Sequence, residues 1–107
     1  MKKLILIVAV SLSTLALVGC AEPTPDEAAA ALEKTYLDHC RKSGQWAAVA
    51  ISGGAQKYED WALTHNAEAN YLESRFDSLD PVKCGESMQA GWSKGLEYVK
   101  AGKVDMQ

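Results

Sequence analysis

The chain has 107 residues, 11 Lys and Arg against 14 Asp and Glu, and a formal net charge of −3. That length fits one small domain. The acidic balance, with no basic cluster, argues against a nucleic-acid partner and against a polybasic grip on anionic lipid.

The first residues have the three parts of an export signal. Lys2 and Lys3 form a positive start, and Leu4 to Val18 is an apolar run interrupted only by Ser11, Ser13 and Thr14. A membrane span needs about 20 apolar residues. This run is shorter, and the next charge after it is Glu22 rather than Lys or Arg. Residues 1–19 are therefore expected to be a cleaved signal peptide.

Leu17-Val18-Gly19-Cys20 closes the run and resembles the lipobox of bacterial lipoproteins. Small Gly19 gives a peptidase access to the backbone, and the Cys20 thiol is the nucleophile to be alkylated. The resemblance implies diacylglycerol on Cys20, cleavage before it, and an acyl chain such as palmitate on the new amino group. One chain holds a protein only marginally at a membrane, whereas two or three hold it firmly. Ala21 follows the cysteine where inner-membrane retention in enteric-type lipoproteins uses Asp. The implied address is thus the outer membrane, facing the periplasm.

Loss of Lys2 and Lys3 with the signal takes the formal charge from −3 to −5. Cys20 is spent on lipid, which leaves Cys40 and Cys84 as an even pair in an oxidising compartment, read as a disulfide. Closing a loop of about 45 residues contributes roughly 4 kcal/mol in the chain-entropy account. A metal or redox pair is the alternative. The spacing is no CxxC, and neither His39 nor His65 completes a zinc pattern.

Residues 20–24 make a short tether, with a reach of only about 13 Å from three or four extended residues. A single helical domain is expected over 25–107. Thr24-Pro25-Asp26-Glu27 reads as a capping box with Pro at the first helical position. Leu32, Tyr36, Leu37 and Cys40 share one stripe with Ala29. Arg41 and Lys42 followed by Gly44 read as a helix end, giving a first helix over 25–43.

Residues 45–52 suit a buried strand or a two-turn helix, and three alanines favour the helix. Gly53-Gly54 breaks it. The longest periodic segment, 55–79, puts Tyr58, Trp61, Ala62, His65, Ala69, Leu72, Phe76 and Leu79 on one side, with a bend expected near His65-Asn66. Asp80-Pro81 caps a last helix over 81–101 that Gly102 closes. Its stripe holds Cys84, Met88, Trp92, Gly95 and Val99, widened by Gly85, Gly91 and Leu96. Gly91 and Gly95, four apart, invite a close backbone neighbour. A bridge from Cys40 to Cys84 requires Cα atoms within about 7 Å. That distance is met only if the chain truly reverses at Gly53-Gly54, giving two helical segments between the cysteines.

The expected fold is all-α: a small helical bundle of three long helices plus one short, with one disulfide. No GxSxG, GxGxxG, P-loop or HExxH is present, so no catalytic residue, cofactor or metal ligand is expected and the chain does not read as an enzyme. His39 and His65 read as partly buried, hydrogen-bonded side chains, and Glu59-Asp60 as a solvated pair. Most of the three Trp, four Tyr and one Phe read as core. Tyr71 and Leu63 each fall about 130° from the middle of their stripe at 100° per residue, which makes them candidates for partner contact.

The leading expectation is a lipid-anchored, membrane-proximal protein-binding module with an envelope protein as partner. Its plan (lipobox, short domain, paired cysteines) is similar to that of exclusion and immunity lipoproteins. The alternatives are an assembly accessory of an envelope or secretion apparatus, and an inhibitor presenting the Gly53-Gly54 turn to a periplasmic hydrolase.

Overall fold

A computed structural model of the chain describes residues 24–107. The signal, Cys20 and residues 21–23 of the tether lie outside the described residues. Three helices follow in order: α1 (Pro25–Ile51), α2 (Gln56–Arg75) and α3 (Pro81–Lys100). Among the described residues, those up to Ala30 fall in one unit and Ala31–Gln107 form a second.

In the first unit, α1 starts as its sequence dictates. The Thr24 backbone N–H donates to Glu27 Oε1 at 2.8 Å, and the Glu27 N–H donates to Thr24 Oγ1 at 3.1 Å. This is a reciprocal capping box, in which two otherwise orphaned donors are satisfied.

The second unit is an up-down-up arrangement. Tyr36 meets Glu73, His39 meets His65 and Trp46 meets Tyr58, so α2 returns antiparallel along α1. Cys40 is bonded to Cys84, Gly44 faces Met88 and Ala48 faces Gly95, so α3 runs parallel to α1. The Cys40–Cys84 disulfide places the two Cα atoms 5.4 Å apart. The fold is all-α with one disulfide, as expected. The expected short fourth helix is not a separate element, because residues 45–51 are the last turns of α1.

Gly44 explains the difference. A Cβ there would collide with the backbone of Met88, so this glycine exists for a close helix–helix approach and does not terminate α1. The true stop is Gly53, whose φ of 97° is open to glycine at little cost. The reversal at Gly53-Gly54 is thus real, and it lets α2 return far enough for Cys84 to reach Cys40. Arg41 and Lys42 serve no helix end. They pair with Asp38 at 2.7 and 3.0 Å, half-exposed contacts of little energetic value.

α2 runs unbroken through His65-Asn66 and ends at Arg75, four residues short of the expected limit. The turn that follows still delivers Leu79 to the core. Asp80 caps α3 by accepting from the Val82 N–H at 2.9 Å, with Pro81 in the first turn. Gly102 (φ 69°) closes it as expected.

The core joins Tyr36, Cys40, Ala69 and Leu79, with Leu32, Leu37, Leu72, Cys84 and Met88 packed around them. Burial pushes the Tyr36 phenol well above its usual range, and its hydrogen bond to Glu73 adds to this. Along α3 the contact face is centred on Gly91 and Gly95, both buried, rather than on Trp92. A Cβ at Gly91 would strike the Arg41 carbonyl, and one at Gly95 the Gln45 carbonyl and Ala48.

Two predictions test this contact. Gly91→Ala or Gly95→Ala forces α1 and α3 apart and should cost about 1–3 kcal/mol or more. Gly85→Ala, with nothing within 4 Å of the added methyl, should raise stability by up to about 1 kcal/mol through helix propensity. Urea unfolding of the three variants measures this, and equal effects would refute the close approach. Separately, Cys40→Ala with Cys84→Ala should lower stability by about 4 kcal/mol in the same assay, since the bridge closes a 44-residue separation.

Candidate functional site

The far end of the α1–α2 hairpin carries the most distinctive surface. Trp46 stacks on Tyr58 with ring centroids 5.4 Å apart and meets the edge of Trp61 at 5.1 Å. Tyr58 and Trp61 are themselves perpendicular at 5.2 Å. Edge-to-face and offset contacts of this kind each add about 0.5–1.5 kcal/mol beyond burial. Lys57 lies over both the Tyr58 and Trp61 rings and pairs with Asp105. The Asp105 N–H donates to the Tyr58 hydroxyl at 2.9 Å, and Gly53 and Gly54 pair with the tail at Gln107 and Met106. The Gly53-Gly54 turn is therefore strapped down by the C-terminal residues.

Beside this cluster α1 and α2 leave an open cleft of about 320 Å³, lined by Ala47, Ala50 and Ile51 of α1 and Glu59, Ala62 and Leu63 of α2. Its floor is alanine, too short to fill the space between the helices. Its lips are Ile51 and Leu63, which are 74% and 59% exposed. Glu59 is the sole charge in the lining. The Gln56 amide donates to Glu59 at 3.3 Å and to Asp60 at 3.4 Å, and among the described residues no cation pairs with either carboxylate. An apolar cleft with one unneutralised carboxylate suits an apolar side chain flanked by Lys or Arg.

Of the two residues singled out for partner contact, Leu63 lines the cleft. Tyr71, 56% exposed, stands two turns further along α2, with the Arg75 guanidinium 5.8 Å from its ring. The two do not form one patch. Ile51 and Glu59 were not anticipated: Ile51 lay in an apolar run with no clear period, and Glu59 in an ordinary charged pair. Trp61, Phe76, Trp92 and Leu96, expected on buried stripes, are 41%, 42%, 37% and 44% exposed.

His39 and His65, expected as partly buried, hydrogen-bonded side chains, are brought together by the hairpin. Their Nδ1 atoms are 3.0 Å apart and both rings are half-buried. Burial holds the His65 imidazole below its ordinary value, aided by His39 and Lys42 and opposed by Asp38 and Glu68. Asp38 is itself held below the usual carboxylate range by its bonds from Arg41 and Lys42. Among the described residues no group of three or more His, Cys, Asp or Glu gathers as a metal cluster, and no helix is long and apolar enough to cross a membrane.

Compared with known proteins, the chain matches no family model, no curated protein and no solved structure.

His65 sets a pH dependence. In the unfolded chain an imidazole takes up its proton near pH 6.5, whereas folded His65 resists it. The unfolded state therefore binds more protons as the pH falls, and stability present above about pH 6.5 is lost below it. Denaturant midpoints should fall from about pH 7 to about pH 5.5, and His65→Gln should flatten that dependence. An identical slope in the variant would exclude His65 as its source.

Proposed function

We propose that the chain is a small lipid-anchored lipoprotein of the bacterial cell envelope that binds a membrane-proximal protein through the Ile51–Leu63 cleft. The observation that carries this reading is Leu17-Val18-Gly19-Cys20 at the end of an export signal. The capping box at Thr24 supports the short tether, because helix begins at Pro25, five residues after the lipidated position. A body held so closely meets partners at or near the bilayer, on this reading the outer membrane.

The cleft supplies the contact. Ile51 and Leu63 offer apolar surface at no cost to the core, and Glu59 awaits a cation on the partner. This fits the plan of exclusion- and immunity-type lipoproteins, whose work is to occupy another envelope protein. The strapping of the Gly53-Gly54 turn by the tail leaves the cleft, and not that turn, as the preferred binding element.

Mass spectrometry of the purified protein should find Cys20 acylated and residues 1–19 removed. An unmodified Cys20 with the signal still attached would end the proposal. Photocrosslinking from position 50, in the cleft lining, should then capture an envelope protein in intact cells. Ile51→Asp or Leu63→Asp should abolish capture while changing stability by no more than about 0.5 kcal/mol, as for other exposed positions. Undiminished capture in soluble Cys20→Ser protein would refute the membrane-proximal part.

A further inference from the structure

We infer that His39 and His65 form a two-imidazole site for a borderline divalent metal ion, Cu²⁺ above Ni²⁺ and Zn²⁺, bridging α1 and α2. The two Nδ1 atoms face each other at 3.0 Å. Imidazole–metal bonds are about 2.0–2.1 Å, so two of them at angles of about 90–110° place their nitrogens about 2.9–3.4 Å apart. The observed gap is already in that range, so the ion enters with little movement of either helix.

The protonation also balances. As a hydrogen-bonded pair, one ring carries its proton on Nδ1 and donates to the other. To bind metal, that ring adopts the tautomer with the proton on Nε2. Both Nδ1 lone pairs are then free, and two neutral ligands coordinate without net proton release. Among the described residues neither imidazole has another hydrogen-bond partner.

The site is held by its frame. His39 adjoins Cys40, which is bonded to α3, and α2 is joined to α1 by the short turn at Gly53-Gly54. Such pre-organisation reduces the ordering cost of binding. Asp38 and Glu68 act on His65 with negative charge and Lys42 with positive charge, in a chain that is acidic as a whole. The protein supplies two ligands, and water completes the coordination sphere. A cis pair of nitrogens with oxygens in the remaining positions suits tetragonal Cu²⁺, which also heads the affinity order for nitrogen ligands.

The test uses purified full-length protein titrated with Cu²⁺, with paramagnetic resonance as readout. One equivalent should bind and show hyperfine coupling from two imidazole nitrogens, and the unfolding temperature should rise with metal concentration. His39→Gln and His65→Gln should each weaken binding by at least about tenfold, since even outer-sphere losses at metal sites cost about 10–100-fold. The two-nitrogen signature in the unaltered protein stands independently of how the variants fold. Coupling from fewer than two imidazoles, or copper binding unchanged in either variant, would overturn the site.

Discussion

The fold depends on α1 and α3 meeting backbone to backbone. Gly44, Gly91 and Gly95 leave no room for a Cβ against the facing main chain. Dispersion between atoms at contact distance is small per pair and large in sum, and a glycine seam brings many backbone atoms to that distance. Each glycine also costs helix propensity, which the contact must exceed. The disulfide fixes the register at one end of the seam, so the parallel pair cannot slide.

That arrangement suits a body with little core to draw on. The largest fully buried side chains are Tyr36, Val49 and Cys40, and a domain this small buries a modest share of its surface. Gln45 lies buried at the seam, with the Arg41 guanidinium donating to its side chain at 3.1 Å, and Ser43 is buried too. Close backbone packing and one crosslink replace the large apolar layer that a longer chain would build. The α1–α2 contact is made differently, by side chains: Tyr36 to Glu73, the histidine pair, and the aromatic group around Trp46.

Much of this was legible in the residues. Capping signals read correctly at Thr24 and Asp80 because they act within three or four positions. The cysteine pair followed from cysteine parity in an oxidising compartment, and the chain reversal from the short Cα distance a bridge requires. Gly44 misled because a helix-ending glycine and a close-packing glycine are the same letter, and only the facing chain distinguishes them. Gly91 and Gly95 were readable because two small residues one turn apart on a stripe have few other uses. Periodicity identified the side on which Trp61, Trp92 and Leu96 lie, but three helices lack the surface to cover them, and Phe76 falls just past the end of α2. The cleft and the histidine pair were illegible for a different reason. Both come from side chains that meet only across the hairpin, and no local pattern in α1 announces what α2 will place opposite.

The two seams therefore divide the work. A glycine seam with a covalent lock has one workable spacing, since any separation leaves voids along the backbone. The α1–α2 seam is built of rings and alanines, with an unfilled cleft at one level and a shared proton at another, so it can accept an occupant without breaking main-chain contacts. The proposed partner at Ile51 and Leu63 and the proposed ion at His39 and His65 both act on that seam. Each would bind the same hairpin spacing, and linkage requires that if one shifts the affinity of the other, the effect is equal in both directions. The physical reason to expect coupling is the rigidity of α1 itself: its placement is fixed by α3, so any adjustment to either occupant falls on α2.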